Sequence, residues 1–267
     1  MPPPQGHLVL GARSLEYRML GPSPDAAPTL VLLHEGLGCV GLWRDFPDRL
    51  AAATGLGVFA YSRAGYGDSS PVPLPRTGRY LHEEADEVLP AVLDAIGLRT
   101  GVLVGHSDGA SIAALHLGRR RDRRVRGAVL IAPHFVVEDV TIAGIREARR
   151  AYESGGLRER LARWHADVDV AFRGWCDTWL EPGFRSWDIR DDLPSIAVPV
   201  HVIQGEADEY ATLRQVEIAQ LCGGQATSTV LAGIGHSPHR EAADATLDIV
   251  ASFVAAALAR PLDAPPG

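Results

Sequence analysis

Short continuous runs of apolar residues recur along the chain, and stretches with helical spacing lie between most of them. A strand that is buried on both faces of a sheet reads as such a continuous run, without the alternation of a half-exposed strand. Strands that alternate with helices indicate a parallel sheet covered by helices. The runs that we interpret as buried strands are TLVLLH (29–34), GVFAYS (57–62), GVLVGH (101–106), GAVLIAP (127–133), VPVHVIQG (198–205) and STVLAG (228–233).

Two extended stretches near the start, HLVLGA (7–12) and LEYRML (15–20), predict a β-hairpin. Together with the buried runs they predict an α/β fold with a mostly parallel central sheet of about eight strands. Helices are expected on both faces of this sheet, because a parallel sheet buries both faces. The predicted helices are FPDRLAAATG (46–55), YLHEEADEVLPAVLDAIG (80–97), SDGASIAALHLG (107–118) and ADATLDIVASFVAAALA (243–259).

The alternation breaks between GAVLIAP and VPVHVIQG, where more than sixty residues contain no clear buried run. Their apolar positions have helical spacing instead. The arginines between positions 146 and 163 are expected to keep their charges in solvent. Four of the chain's five tryptophans fall in this stretch, namely Trp164, Trp175, Trp179 and Trp187.

We therefore predict a helical cap, residues 135–190, inserted after the sixth strand above the carboxyl edge of the sheet. Residues 1–134 and 191–262 would form the core domain. The Pro-rich segment 263–267 is expected to be a disordered tail.

The segment GHSDG (105–109) places Ser107 at the end of a predicted central strand and the start of a helix. It matches the G-x-S-x-G elbow, in which a sharp turn exposes the serine hydroxyl. Ligands bind at the carboxyl ends of strands in an open parallel sheet, and the helix N-terminus favours developing negative charge. Ser107 is therefore predicted to be a nucleophile. A plain helix N-cap serine is the alternative.

A serine nucleophile needs a base and an acid that orients the base. We predict His236 as the base, because it follows the last strand and a glycine turn; His239 is its competitor. The acid is expected after the penultimate strand, where Asp208 is best placed. Its neighbours Glu206 and Glu209 are also acidic.

A second location for the acid follows the strand GAVLIAP. Glu138 and Asp139 lie there, and this alternative stays open at the level of sequence.

The order of nucleophile, acid and histidine, with the elbow and the insertion after the sixth strand, resembles the α/β-hydrolase family. The resemblance covers nearly the whole chain, including YSRAGYGDSSP (61–71), which is similar to the family's loop after the fourth strand. It implies an oxyanion hole made by the amide of Asp108 and an amide of the loop LLHEGLG (32–38). We assign the second amide to Gly36, with Leu37 close behind. A serine nucleophile argues against haloalkane dehalogenases and epoxide hydrolases, which use aspartate there.

Glu35 departs from the family pattern, because glycine is usual at this position of the loop. It is either a solvent-facing or salt-bridged loop carboxylate, or a polar contact to substrate or to a catalytic group. We predict that Glu35, Leu37, Trp164 and Trp175 contribute to the substrate pocket.

Composition and charge limit the partners. The net charge of −7 disfavours nucleic acid, and no apolar run is long enough to span a membrane. The start MPPPQGHLVL lacks the pattern of a signal peptide. The scattered cysteines Cys39, Cys176 and Cys222 show no disulfide framework, which favours a reducing cytoplasm. We expect a cytoplasmic protein with a small-molecule substrate and leave open whether it forms a homodimer.

Neither a metal nor a cofactor is predicted. The sequence contains no HExxH and no Cys/His cluster, and no GxGxxG follows the first buried strand.

The predicted function is a serine hydrolase that cleaves a small-molecule carboxylic ester through an acyl-serine. Amides, lactones and carbon–carbon bonds next to a ketone fit the same residues. The alternatives are an acyltransferase, a lyase or cyclase on the same scaffold, and a ligand-binding receptor with a hydrolase fold.

Overall fold

A computed structural model of the chain describes residues 4–223 and 225–261; the predicted tail 263–267 lies outside them. Eight strands form one sheet in the order β1-β2-β4-β3-β5-β6-β7-β8. Strand β2 is antiparallel to β1 and β4, and the other neighbours are parallel, which confirms the predicted fold class. The strands are β1 (Gln5–Leu10), β2 (Arg13–Leu20), β3 (Thr29–Leu33), β4 (Gly57–Tyr61), β5 (Gly101–His106), β6 (Val125–Ile131), β7 (Val200–Gly205) and β8 (Ala226–Leu231).

Strand β3 shows why the buried runs are continuous. Leu30 and Leu32 point into one hydrophobic core and Val31 and Leu33 into another, on the opposite face. Helices α1 (Phe46–Thr54) and α10 (Ala243–Ala259) cover the first face, and α4 (Asp108–Arg119) covers the second. Because successive side chains of a strand point to opposite faces of the sheet, a strand buried on both faces needs apolar residues at every position.

The predicted helix 80–97 is helical from Tyr80 to Ala95, but it is not α-helical along its whole length. It consists of α2 (Tyr80–Glu83), a π-helical turn (Glu84–Val88) and α3 (Leu89–Ala95). Pro90 has no N–H to donate to the carbonyl of Asp86, and the Arg120 side chain donates to that carbonyl instead.

Three helices fill the connection between β6 and β7, namely α5 (Asp139–Glu153), α6 (Gly156–Leu161) and α7 (Val168–Trp179). Trp179 donates from Nε1 to the Tyr80 hydroxyl at 2.8 Å, and Trp175 packs directly on Gly36. The helices therefore contact loops at the carboxyl ends of the central strands. The division of the chain into a core and a cap at 135–190 stays a prediction.

Two short helices follow β7 and β8, namely α8 (Arg214–Ala219) and α9 (Pro238–Glu241). Among residues 4–223 and 225–261, no helix has both the length and the apolar character needed to cross a membrane.

Candidate active site

Ser107 lies on a strained turn between β5 and α4. Its φ of 52° and ψ of −116° belong to a region that residues with a side chain rarely adopt. Glycine is required on both sides, because a Cβ at Gly105 would lie 2.4 Å from the Gly109 carbonyl oxygen and one at Gly109 would lie 2.0 Å from that of Leu33. Within the described residues the Ser107 hydroxyl makes no helix-capping hydrogen bond, which argues against the plain N-cap interpretation.

The Ser107 hydroxyl meets His236, which follows β8. The distance from Ser107 Oγ to His236 Nε2 is 2.9 Å. On the other side of the ring, His236 Nδ1 lies 2.9 and 2.8 Å from the two carboxylate oxygens of Asp208. The structure thus places the predicted nucleophile, base and acid in one hydrogen-bonded line, although Ser107 and His236 lie 129 positions apart in sequence.

Neighbouring donors fix the Asp208 carboxylate. Oδ1 accepts hydrogen bonds from the backbone N–H groups of Tyr210 (2.8 Å) and Ala211 (3.1 Å), and Oδ2 accepts one from Gln204 Nε2 (2.7 Å). Such a carboxylate is held in one orientation toward the imidazole. Gln204, at the end of β7, was not predicted.

The charges of Asp208 and His236 stabilise each other. Burial opposes ionisation of Asp208, but the His236 ring and the backbone N–H groups outweigh it and lower the carboxyl pKa. Burial likewise opposes protonation of His236, but the Asp208 carboxylate outweighs it and raises the imidazole pKa. A raised pKa makes this imidazole a stronger base.

The competing residues have other partners. His239 is buried, with its ring 4.9 Å from that of Trp43 and 5.8 Å from that of Phe46. Glu206 accepts a hydrogen bond from the Gly233 N–H at 3.1 Å.

The second location for the acid is also occupied by structural contacts. Glu138 accepts hydrogen bonds from the Thr212 hydroxyl (2.5 Å) and from Gln215 Nε2 (2.7 Å). The side chain of Asp139 is 98% exposed and pairs with Arg185. These contacts disfavour both residues as the orienting acid.

The loop after β3 brings Gly36 to the site. The buried Arg63 donates to the carbonyl oxygens of His34 and Glu35, the latter at 3.0 Å, and so fixes the loop backbone. Among the described residues, no acceptor takes up the N–H of Gly36 or of Asp108. Both amides are therefore available to a bound group.

Glu35 faces His106 at the end of β5. Its Oε2 lies 3.5 Å from His106 Nδ1, and His106 Nε2 donates to the backbone carbonyl oxygen of His236 at 2.8 Å. Burial opposes ionisation of Glu35, but the His106 ring and more distant histidines outweigh it and hold the carboxyl pKa well below its usual value. Glu35 is thus joined through one side chain to the loop that carries the base.

A cavity of about 320 Å³ opens above Ser107. Glu35, Leu37, Trp164 and Trp175, the predicted pocket residues, all line it together with Gly36 and Asp108. Its volume suits a small organic molecule.

His134 is a cavity residue that sequence reasoning missed. It is buried, its ring centroid lies 5.7 Å from that of His236, and its Nε2 lies 3.3 Å from the Tyr210 carbonyl oxygen. Burial and the nearby His236 charge lower its pKa to about 4. It follows β6 at the same sheet edge where Ser107 and Asp208 follow β5 and β7, and that shared edge is the signal that could have found it.

In the part of the chain that the structure describes, no group of three or more His, Cys, Asp or Glu side chains is arranged to hold a metal ion.

Residues 30–249 match the family model described as the alpha/beta hydrolase family. The chain belongs to this family. It is 30% identical over 193 residues to a protein of Synechocystis sp. named as a candidate non-heme chloroperoxidase, a match that covers 60% of the chain and 66% of that protein. It is 28% identical over 148 residues to "Epoxide hydrolase 3" of Siraitia grosvenorii, covering 55% of the chain and 44% of that protein. The chain thus spans less than two thirds of the length of either hydrolase-family relative.

A solved structure shares this fold over most of the chain. The enol-lactonase from Burkholderia xenovorans LB400 superimposes with a TM-score of 0.71 at 23% identity, covering 94% of this chain and all of that one. At this identity the similarity shows the fold alone.

Proposed function

We propose that the protein is a serine hydrolase that cleaves a small-molecule carboxylic ester through an acyl-serine intermediate. The observation that carries this proposal is the unbroken line from Ser107 Oγ through His236 to Asp208, at a strained turn that opens into a cavity. A lone serine hydroxyl is a poor nucleophile, and this arrangement supplies the base and the orienting acid that it needs.

In the first half of the reaction, Ser107 Oγ attacks the carbonyl carbon of the ester while His236 Nε2 takes the hydroxyl proton. The carbonyl π electrons move to oxygen, and the N–H groups of Gly36 and Asp108 stabilise that oxyanion. When the oxyanion collapses, the bond to the alcohol oxygen breaks. His236 returns the proton to the alcohol, and the acyl group remains on Ser107.

In the second half, water replaces the alcohol. The water oxygen attacks the acyl carbon while His236 Nε2 takes a proton from the water. The bond between the acyl carbon and Ser107 Oγ then breaks, and His236 returns that proton to Ser107 Oγ. The product is the free carboxylic acid. Asp208 accepts the Nδ1–H hydrogen bond, so Nε2 of the resting imidazole is unprotonated and faces Ser107; once Nε2 has taken a proton, the same carboxylate stabilises the imidazolium.

Serine at the elbow favours acyl over alkyl transfer. Attack of Ser107 on an epoxide or an alkyl halide would leave an ether on the enzyme, which has no carbonyl for water to attack. Attack on an ester leaves another ester, which the same base and oxyanion site can hydrolyse. Serine at this position therefore disfavours epoxide hydrolysis through a covalent intermediate in this chain.

The alternatives to hydrolysis differ in whether an acyl-serine forms and where its acyl group goes. An acyltransferase would form the same acyl-serine but pass it to an acceptor other than water. A lyase, a cyclase or a ligand-binding receptor would form no acyl-serine with an ester. Mass spectrometry of the protein after brief mixing with an ester, together with analysis of the released acid, distinguishes these cases.

A panel of p-nitrophenyl esters with increasing acyl length tests the proposal. Hydrolysis with release of the free acid is expected, with a maximum at short chains because the cavity is only about 320 Å³. If the folded protein hydrolyses no member of this panel above the rate in buffer, the ester proposal is wrong.

Trp175 and Trp164 are proposed to shape the acyl site. Trp175→Phe should favour longer acyl chains, because the smaller side chain leaves more room beside Gly36. The ratio of kcat/KM for a longer ester to that for a shorter ester should rise about tenfold. Trp187→Phe is the matched control, since Trp187 is also buried but lies outside the residues that line the cavity. An acyl preference unchanged in both Trp175→Phe and Trp164→Ala would place the acyl site elsewhere.

Glu35 is proposed to position His236 through His106. Glu35→Gln removes the charge that faces His106 and should lower kcat about tenfold, because small displacements of a base are costly in rate. KM for a short ester should change little. Glu206→Gln serves as the control, because Glu206 is an exposed carboxylate in a loop. Equal kcat values for the two variants would show that Glu35 does not position His236.

A further inference from the structure

Three arginines from separate parts of the chain line the cavity above Ser107. Arg44 precedes α1, Arg160 lies on α6 and Arg240 lies on α9. All three arginines are exposed, as predicted for Arg160, and each of them also lines the cavity. The cavity therefore carries three positive charges in a chain whose net charge is −7.

These three arginines have no carboxylate partner among the described residues. Arg149 and Arg158, close to Arg160 in sequence, pair with carboxylates at 2.6 and 2.7 Å. Within residues 4–223 and 225–261, the guanidinium groups lining the cavity form no ion pair or hydrogen bond. That of Arg44 instead lies 4.2 Å from the ring centroid of Trp164.

The carboxylates of the cavity are already engaged. Glu35 faces His106, Glu209 accepts from the backbone N–H of His236 at 3.2 Å, and Asp108 accepts from the Tyr80 hydroxyl at 2.6 Å. The negative groups of the site thus have partners within the protein, while the positive groups do not. An anionic group on a ligand would supply the missing partner.

We propose that the substrate of this site is an ester that carries a carboxylate or phosphate group, which Arg44, Arg160 and Arg240 bind. This inference rests on the proposed ester hydrolysis and adds the charge of the substrate. The planar guanidinium presents pairs of N–H donors that fit the oxygens of a carboxylate or of a phosphate group.

Part of the cavity lining is apolar and suits the carbon chain of a substrate. Leu157, Leu161, Trp164 and Trp175 line the same cavity as Ser107 and the arginines. A substrate with a few methylene groups between the carbonyl and the anionic group would place methylenes against these side chains and the anion among the guanidiniums.

A matched pair of esters tests the inference. Mono-p-nitrophenyl glutarate differs from p-nitrophenyl valerate only in a carboxylate where the latter has its terminal methyl group. We expect kcat/KM to favour the glutarate ester by about tenfold at low ionic strength, with the ratio falling as salt is added. A ratio at or below one would overturn the inference.

Arginine variants locate the effect. Arg44→Gln, Arg160→Gln and Arg240→Gln should each lower the glutarate-to-valerate ratio about threefold, which is the scale of an exposed charge pair. Arg146→Gln is the control, because Arg146 is exposed and lies on α5, in the same connection between β6 and β7 as Arg160, but does not line the cavity. If the three cavity variants keep the wild-type ratio as the control does, these arginines do not bind the anionic group of the substrate, and the inference is wrong. Unchanged melting temperatures confirm that the variants are folded.

A binding measurement separates this inference from the proposed reaction. In Ser107→Ala protein, glutarate and butyl phosphate should each be titrated against the fluorescence of the tryptophans that line the cavity. Saturable quenching that weakens in the Arg160→Gln background supports the anion site even if no ester is turned over, and the tighter ligand identifies the preferred anion. Absence of quenching by both anions, with a substrate ratio near one, contradicts it.

Discussion

Ser107→Ala should lower kcat/KM for the best ester by about 10⁵-fold or more, because no other hydroxyl replaces the nucleophile. The fold should survive, since the substitution removes one oxygen and leaves the elbow glycines and the β5–α4 junction in place. Rates against the ester panel and a thermal melt measure the two effects separately.

Ser154→Ala is the control for this variant, because Ser154 is exposed and donates only to the carbonyl oxygen of Ala151. Its activity should match that of the wild type. A folded Ser107→Ala protein that keeps activity within tenfold of the wild type would show that another residue is the nucleophile.

Asp208→Asn should lower the rate by about 10⁴-fold, as in other catalytic triads. The backbone N–H groups of Tyr210 and Ala211 both point at Oδ1, so the carboxamide oxygen of asparagine would take that place. Its NH₂ group would then face His236 Nδ1 and stabilise the imidazole tautomer with the proton on Nε2. That tautomer cannot accept the Ser107 proton.

The pH dependence gives a second readout of the same variant. His236 acts as a base when neutral, so activity falls as pH drops through its pKa. Asp208 raises that pKa, and its neutralisation should therefore move the acidic limb of kcat/KM to lower pH. Asp139→Asn is the control, because the Asp139 carboxylate is exposed. Loss of activity in Asp139→Asn with near-normal activity in Asp208→Asn would place the acid after the sixth strand.

Local patterns in the sequence predicted most of the fold. Continuous apolar runs such as TLVLLH marked strands buried on both faces, and glycines at 105 and 109 marked the turn at Ser107. These features depend on residues adjacent in sequence. The π-helical turn before Pro90 was missed, although Pro90 removes an N–H donor, because the apolar spacing of 80–97 is also that of a regular α-helix.

Contacts between distant segments were less predictable. The pairing of Glu35 with His106 requires that β3 and β5 be neighbours, which follows from the strand order and not from either segment alone. Arg44, Arg160 and Arg240 likewise converge only when α6, α9 and the loop before α1 surround one cavity. Ser107, Asp208 and His236 could be predicted together from the sequence, because the resembled family has its nucleophile, acid and histidine in this order along the chain.

Covalent labelling of Ser107 tests the central proposal most directly. Tryptic cleavage after Arg99 and Arg119 yields the peptide 100–119, which holds both Ser107 and Ser111, so fragment-ion mass spectrometry must assign the site. After treatment of the folded protein with a fluorophosphonate, we expect one phosphonyl group, on Ser107, and none on heat-unfolded or Ser107→Ala protein. Folded protein that stays unlabelled at Ser107, or that carries the label on another residue, would contradict the assignment of Ser107 as the nucleophile.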